Sequence, residues 1–401
     1  MSDHKNEAIV VGGGPAGLTA AIALAAGGIE TVLVGKRPAA ADNRTTALLS
    51  GSVTALTTLG VWSQCAAQAA PLKHLRVVDD TGRLWRAPEV AFDAEEIGLE
   101  AFGYNIENRH LVAALERHAR TLPSLRMIED EVAGVTPAEH SVVVECKNGA
   151  PLQAPLAIGA DGRRSLCRAT AGIVMKEQRY PQAALTLSLS HARPHGDTST
   201  EFHTRRGPFT LVPLPGNRSS LVWVRDPAEA ETFVTIDDDE LSAAVERASH
   251  SILGKIAAEP GRGRFPLTIA VAPRLAARRI VLVGEAAHVI PPIGAQGLNL
   301  GLRDAATIGE LAIAAHRRGD DLGGGDLLAR YDRMRRADID SRMRAVDWLN
   351  RTLLTDFLPV QGARGLGLYM LDRIGPLRRT LMREGVAPAA AQPRLMRGEA
   401  L

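Results

Sequence analysis

AIVVGGGPAGLTAAIALAAGGIETVLV, residues 8–34, is the stretch from which the fold is read. Ala8 to Val11 is a short apolar run with the length of a buried strand. Gly12-Gly13-Gly14-Pro15-Ala16-Gly17 follows at once, then the alanine-rich run Leu18 to Ala26, helical in character, and a second apolar strand, Thr31 to Val34. Strand, G-x-G-x-x-G, helix, strand is the context that makes this motif a dinucleotide fingerprint. Gly12 allows the tight turn, Gly14 lets a pyrophosphate approach the backbone, and Gly17 lets helix and strand pack closely. Pro15 and Ala16 open the helix, whose first N–H groups have no partner of their own. An acid is expected about 20 residues on, where it holds a ribose hydroxyl. Here the second strand ends in Gly35, followed by Lys36 and Arg37, and the two cations suit a 2′-phosphorylated nucleotide. The motif says dinucleotide and leaves open which one.

Residues 280–304, IVLVGEAAHVIPPIGAQGLNLGLRD, repeat the theme. Ile280 to Val283 is a buried-strand run, Gly284 ends it, and a loop with Pro291, Pro292, Gly294 and Gly297 enters a helix near Leu298. A glycine loop at a helix N-terminus favours an anion or an electron-rich ring oxygen, although a plain strand-to-helix connection also fits this stretch taken alone. Gly297 is expected to spare a bound ring from collision or to meet a backbone need for φ > 0.

With 401 residues the chain accommodates two or three domains. Apolar residues at 45% and charged residues at 23% match an ordinary globular composition, and a net charge of +2 gives no case for nucleic acid. The longest apolar stretch, Ala20 to Ile29, is broken by Gly27 and Gly28, so no membrane span is expected. The N-terminal MSDHKNE leads straight into a strand without a signal peptide. Cys65, Cys146 and Cys167 are odd in number and widely spaced, which suits a reducing compartment and gives no metal pattern. Cytoplasm is the expected location.

Between the two glycine segments, Leu75–Val78 and Leu84–Arg86 read as a hairpin around Asp79-Asp80-Thr81-Gly82, and 105–120 as an amphipathic helix. Met127–Val135 and Ser141–Cys146 read as a hairpin or small sheet. Leu156–Ala160 reads as a buried strand ending in Asp161-Gly162, where a cofactor can pass close to the backbone. Ala184–Ser190, Phe209–Leu214 and Ser220–Val224 argue for an antiparallel sheet with a crossing helix at 237–248. After Asp304 the pattern is helical, ending in a loose Ala/Pro tail beyond Val386. Arg44 and Arg109 are each a surface cation or a phosphate partner.

Taken in order, Gly12–Gly17, Asp161-Gly162 and Gly284–Asn299 resemble the flavin-dependent aromatic hydroxylases of the para-hydroxybenzoate hydroxylase superfamily. The likeness is closest to the ubiquinone-biosynthesis hydroxylases (the 2-polyprenyl-6-methoxyphenol hydroxylase type). D-x-R-x-x-A-L around Arg44, residues 102–108, Tyr180 with Gln182, Gly207-Pro208, Arg264–Leu267 and Arg364–Leu368 share it. The resemblance implies an α/β fold: a Rossmann-like FAD-binding domain (1–72, 99–172, 266–335), an inserted antiparallel-sheet substrate domain (73–98, 173–265) and a helical C-terminal region (336–401). It implies FAD held by Gly12, Gly14, Pro15, Ala16, Gly17, Lys36, Arg37, Arg44, Arg109, Asp161, Gly284, Glu285, Gly297, Leu298 and Asn299, with Pro292, Gly294 and Gly297 beside the reacting ring. It further implies NAD(P)H as co-substrate and O2 transferred through a C4a-hydroperoxyflavin to a polyprenyl phenol of ubiquinone biosynthesis. Peripheral association with the inner membrane face or with a quinone-biosynthesis complex belongs to the same expectation. A reductase or dehydrogenase of the same fold, or a non-catalytic flavin-fold subunit, is the alternative. Three positions depart from the family pattern. Gly35 stands for the ribose acid and Glu285 for Asp, and 291–297 (PPIGAQG) stands for His-Pro-x-Ala-Gly-Gln-Gly. His288 reads more readily as a structural histidine than as an acid or base.

Overall fold

The computed structural model describes residues 6–36, 44–82, 87–292, 294–354, 365, 367, 369–371, 373–386 and 392–401. Its centre is a six-stranded sheet in the order Ala276–Ala277, Ile280–Leu282, Leu156–Gly159, Ala8–Val11, Thr31–Val34, Leu125–Ile128. All neighbours pair in parallel except the short first strand, which is antiparallel to Ile280–Leu282. Ala8–Val11 and Leu156–Gly159 are buried at every position, as parallel strands between two layers must be. The turns after Val11, Val34, Gly159 and Leu282 therefore all open at the carboxyl edge of the sheet, where ligands of such sheets bind.

Helix Pro15–Ala26 returns from the first strand and is buried continuously from Gly17 to Ala25. Helix Gln296–Arg318 lies against it at close range. A Cβ on Gly301 would sit 3.3 Å from the Ala16 Cβ, and one on Gly309 would sit 2.9 Å from the Ala23 Cβ. Since Ala16 meets Gly301 and Ala23 meets Gly309, the two helices run in the same direction. Small residues at the crossing let the backbones approach, and both N-termini end at the same edge.

A second, nine-stranded sheet is built on Lys176–His191, Arg218–Arg225, Gly207–Leu214 and Thr198–Thr204, extended by His74–Asp79 and Val90–Asp93. Leu185, Leu187, Phe209, Leu221 and Trp223 point to one face, a core shared with Leu241 and Val245 of helix Asp238–Ala248. By alternation Thr186, Ser188, Ser220 and Val222 occupy the other face. That face turns toward the parallel-sheet domain, because Asn105 Nδ2 donates to Pro213 O (2.9 Å) and Ser220 Oγ (3.0 Å).

Four readings change. Residues 103–107 form a strand, paired with Thr45–Leu49 and Ala69–Pro71, and the helix begins only at Asn108. Burial of Asn105, Ile106 and Glu107 between neighbours overrode their helical spacing. Met127 and Ile128 belong to the parallel sheet, while Val132–Pro137, Val142–Cys146 and Leu152–Ala154 make the small sheet. His74–Asp79 pairs with Val90–Asp93, and Leu84–Arg86 lies outside the described residues. The last ten residues are docked: Leu395 and Met396 are buried, and Arg394 N–H donates to Glu310 (2.9 Å). Of Arg364–Leu368, positions 364, 366 and 368 lie outside the described residues.

Candidate functional site

The first glycine loop is fixed by close contacts. Gly12 has φ +120°, and a Cβ there would meet Ala160 O at 2.2 Å; one on Gly17 would meet Gly12 O at 2.0 Å. Gly14 is different. It precedes the helix with φ −76° and ψ 173°, a backbone open to any residue, and a Cβ would have nothing within 4 Å. Gly297 repeats this at the second helix: its backbone is helical and its Cβ space is empty. The left-handed residues of that loop are Gly294 (φ +65°) and Ala295 (φ +54°), so Gly297 is not glycine for want of φ > 0. Among the described residues neither Gly14 nor Gly297 has a neighbour that requires glycine. Both lie at helix N-termini whose N–H groups and dipoles face the same edge. The second helix enters four residues further out than the first, about 6 Å along the axis. Such a stepped pair of helix ends suits anionic and electron-rich groups, and FAD carries both.

Behind the outer helix lies a buried ionic network. Asp304 has no solvent exposure and accepts from Gly284 N–H (3.0 Å), His288 Nε2 (2.7 Å) and Arg335 Nε (2.7 Å). An ionised carboxylate only accepts, so the His288 Nε2 facing Asp304 carries a proton; among the described residues its buried Nδ1 has no hydrogen-bond partner. Arg335 also donates to Asp338 (2.8 Å), which takes bonds from Arg303 (2.7 Å) and Arg342 (3.0 Å). Arg342 in turn donates to Gln296 Oε1 (2.6 Å), directly before Gly297. Burial pushes the Asp304 carboxyl upward, but His288 and Arg335 outweigh it and hold it below its ordinary range. Asp338 is likewise pushed up by burial and drawn well below its range by Arg335 and Arg303.

Other expected residues are distributed as follows. Asp161 accepts from Ser165 Oγ (2.6 Å) and Cys167 N–H (3.1 Å), capping helix Leu166–Thr170 at the carboxyl edge. Asn299 is buried, its side chain spent on Leu49 N–H (2.9 Å) and Ala47 O (2.8 Å); Leu298 packs on the core. Ala16 uses its methyl against Gly284 and Gly301. Glu285, Pro292 and Gly294 are exposed around the cradle mouth. Arg109 is held by the buried Glu107 (2.9 Å), which Arg218 also reaches. The Arg44 carbonyl accepts from Asn108 N–H. Lys36 pairs with Glu131 (2.9 Å) on the surface, and Arg37 lies outside the described residues. His288 is structural in the sense expected, but its partners Asp304, Arg335 and Asp338 were not singled out. Their signal was present: Arg303 and Asp304 interrupt an apolar helix face, and Arg335, Asp338 and Arg342 recur at helical spacing. Among the described residues no group of His, Cys, Asp or Glu could hold a metal ion.

The FAD binding domain family model matches residues 5–346. Ubiquinone hydroxylase UbiL of Rhodospirillum rubrum is 34% identical over 407 residues, covering 99% of this chain and 94% of that protein. The 3-demethoxyubiquinol 3-hydroxylase of Escherichia coli is 30% identical, covering 96% and 99%. In three dimensions the chain superposes on p-nitrophenol 4-monooxygenase PnpA from Pseudomonas putida with a TM-score of 0.76, 18% identity, and coverage of 97% and 99%.

Two outcomes are expected. Gly12→Ala should lower the stability of the flavin-free protein by about 1–3 kcal/mol through backbone collision. Gly14→Ala and Gly297→Ala should leave that stability within about 0.5 kcal/mol or raise it slightly, yet weaken FAD binding. Urea unfolding beside FAD titration separates the two classes. For the ionic network, Asp338→Asn removes the carboxylate shared by Arg303, Arg335 and Arg342 and should cost about 3–5 kcal/mol. Because both carboxyls sit below their ordinary range, their contribution is complete at neutral pH. It is lost as pH falls below about 4. Urea unfolding at about pH 6 and pH 3 should show a smaller acid loss in Asp338→Asn than in the wild type.

Proposed function

Since this chain belongs to the FAD-binding-domain family, we propose that it is an FAD-dependent monooxygenase that hydroxylates an aromatic ring in ubiquinone biosynthesis. The observation that carries this reading is the pair of open glycines, Gly14 and Gly297, at the entrances of two parallel helices. Full-length similarity to ubiquinone hydroxylases supplies the substrate class, a prenylated phenol. When bound, FAD supplies the redox and oxygen chemistry, with NAD(P)H as reductant and O2 as co-substrate.

The chain's own residues then have separate tasks. Gly14, Ala16 and Gly17 present backbone N–H groups to the pyrophosphate, while Gly12 shapes the turn with its own N–H on Val34 O (2.7 Å) and Pro15, which has no N–H, starts the helix. Asp161, Gly284 and Glu285 take positions along the ribityl side, and Arg44 and Arg109 flank the cofactor. Gly297, Leu298 and Asn299 aim the outer helix's N–H groups at the ring edge where negative charge gathers on reduction, a preorganised arrangement that needs no reorientation of water. Pro292 and Gly294 border the space in which the phenol approaches. The inner face of the nine-stranded sheet, with Thr186 and Val222, closes that space from above and keeps bulk water out. A division at 72/73, 98/99, 172/173, 265/266 and 335/336 into cofactor, substrate and C-terminal parts is included in this proposal.

Contact with a membrane surface is the finer part of the reading. No helix among the described residues is long and apolar enough to cross a bilayer. Helix Gly375–Val386 buries Met382 and Val386 beside Phe102, while Leu377 and Leu381, with Ile374 and Met370 before them, remain exposed. Arg373, Arg379 and Arg383 accompany this outer stripe. An apolar stripe with cations suits the interface of an anionic bilayer, where a polyprenyl substrate resides.

The purified protein should carry FAD and, with a prenylated phenol and NAD(P)H, place one atom of labelled dioxygen on the ring. NAD(P)H oxidation with no label in the phenol would sink the hydroxylase reading. In flotation assays the wild type should rise with vesicles containing phosphatidylglycerol, and Leu377→Gln/Leu381→Gln should stay behind. Equal recovery of the two would remove this helix from membrane contact.

A further inference from the structure

We infer that Glu129 supplies the ribose-binding carboxylate that Gly35 lacks, so that the acid of the dinucleotide fold has moved to the neighbouring strand. The inference rests on FAD being the bound dinucleotide. In such folds the acid at the end of the second strand binds the ribose of the adenosine half. Here that position cannot carry one in the present backbone. A Cβ on Gly35 would lie 2.4 Å from Gly13 N and 3.0 Å from Gly12 C. The obstacle is backbone of the glycine loop itself, which cannot yield as a flexible side chain would.

The next parallel strand ends beside this point. Val34 is in register with Ile128, and Gly35 N–H donates to Ile128 O at 3.2 Å. Glu129 is the residue that follows, so it leaves the sheet at the same carboxyl edge, one strand over from Gly35. It is exposed, and it lines a cleft with Gly13, Gly35, Lys36 and Arg120. This cleft adjoins the loop that receives the pyrophosphate, which is where the adenosine ribose of a dinucleotide sits. A carboxylate there accepts hydrogen bonds from the ribose 2′- and 3′-hydroxyls and repels a 2′-phosphate. Lys36 does not reverse that preference, because it already pairs with Glu131 at 2.9 Å. Among the described residues one other carboxylate, Glu116 of helix Asn108–Ala119, lines the cleft. It stands on a covering helix and not at the strand edge, so it is the natural comparison.

The test compares FAD with FMN, which lacks the adenosine half, on protein whose flavin has been removed. Glu129→Gln should weaken FAD binding roughly ten- to hundredfold, the loss of a charge-assisted bond, while FMN binding stays at the wild-type level. Wild-type FAD affinity in Glu129→Gln would overturn the inference. So would equal weakening of FAD and FMN, or an FAD-selective loss seen in Glu116→Gln instead. Flavin content of the wild type is read in the same experiment: its absence would defeat the monooxygenase reading, whereas an unaffected Glu129 variant defeats only this assignment.

Discussion

The constraint on which the site depends is one fully buried carboxylate. Asp304 joins the turn after the last parallel strand, through Gly284, to the helix on which it stands and to helix Gly325–Leu354 through Arg335. Taking such a charge out of water costs several kcal/mol unless it is well paired. Three donors on three separate segments meet that cost only when all three segments are in place. The ionic chain continues through Asp338 and Arg342 to Gln296, so the entrance of the outer helix is set by contacts made well away from the cradle itself.

Two parallel helices with adjacent N-termini are electrostatically unfavourable by themselves, since like ends of their dipoles lie side by side. Small residues at the crossing enforce the arrangement: Ala16 against Gly301, and Ala23 against Gly309. An anion at the shared edge relieves the repulsion. The packing that assembles the parallel-sheet domain thus also leaves its shared edge suited to an anion.

Specific bonds tie the second sheet to this frame. Asn105, on a strand of the cofactor side, donates to Pro213 O and Ser220 Oγ, and Tyr180 donates to Asp347 of the long helix at 2.5 Å. One face of the sheet is spent on a core of Phe202, Phe209 and Trp223 shared with helix Asp238–Ala248, which leaves the other facing the parallel-sheet domain. Its Ser188 and Ser220 explain why those strands alternate cleanly in sequence.

By itself, the sequence determined the parallel-sheet fold, the glycine fingerprint and the second glycine loop, because local periodicity and turn chemistry are short-range properties. It also exposed Gly35 as a departure. It misread 105–107 as the start of a helix and 392–401 as part of a loose tail, because in both places long-range burial outweighs local pattern. Of the two reasons offered for Gly297, the positive φ falls instead on Gly294 and Ala295. Which glycines are needed by the protein and which leave room for a ligand was decided only by tertiary structure. The same holds for the partners of Asp304 and for the juxtaposition of Glu129 with Gly35. Each is a distance between residues remote in the chain, and no local pattern encodes such a distance.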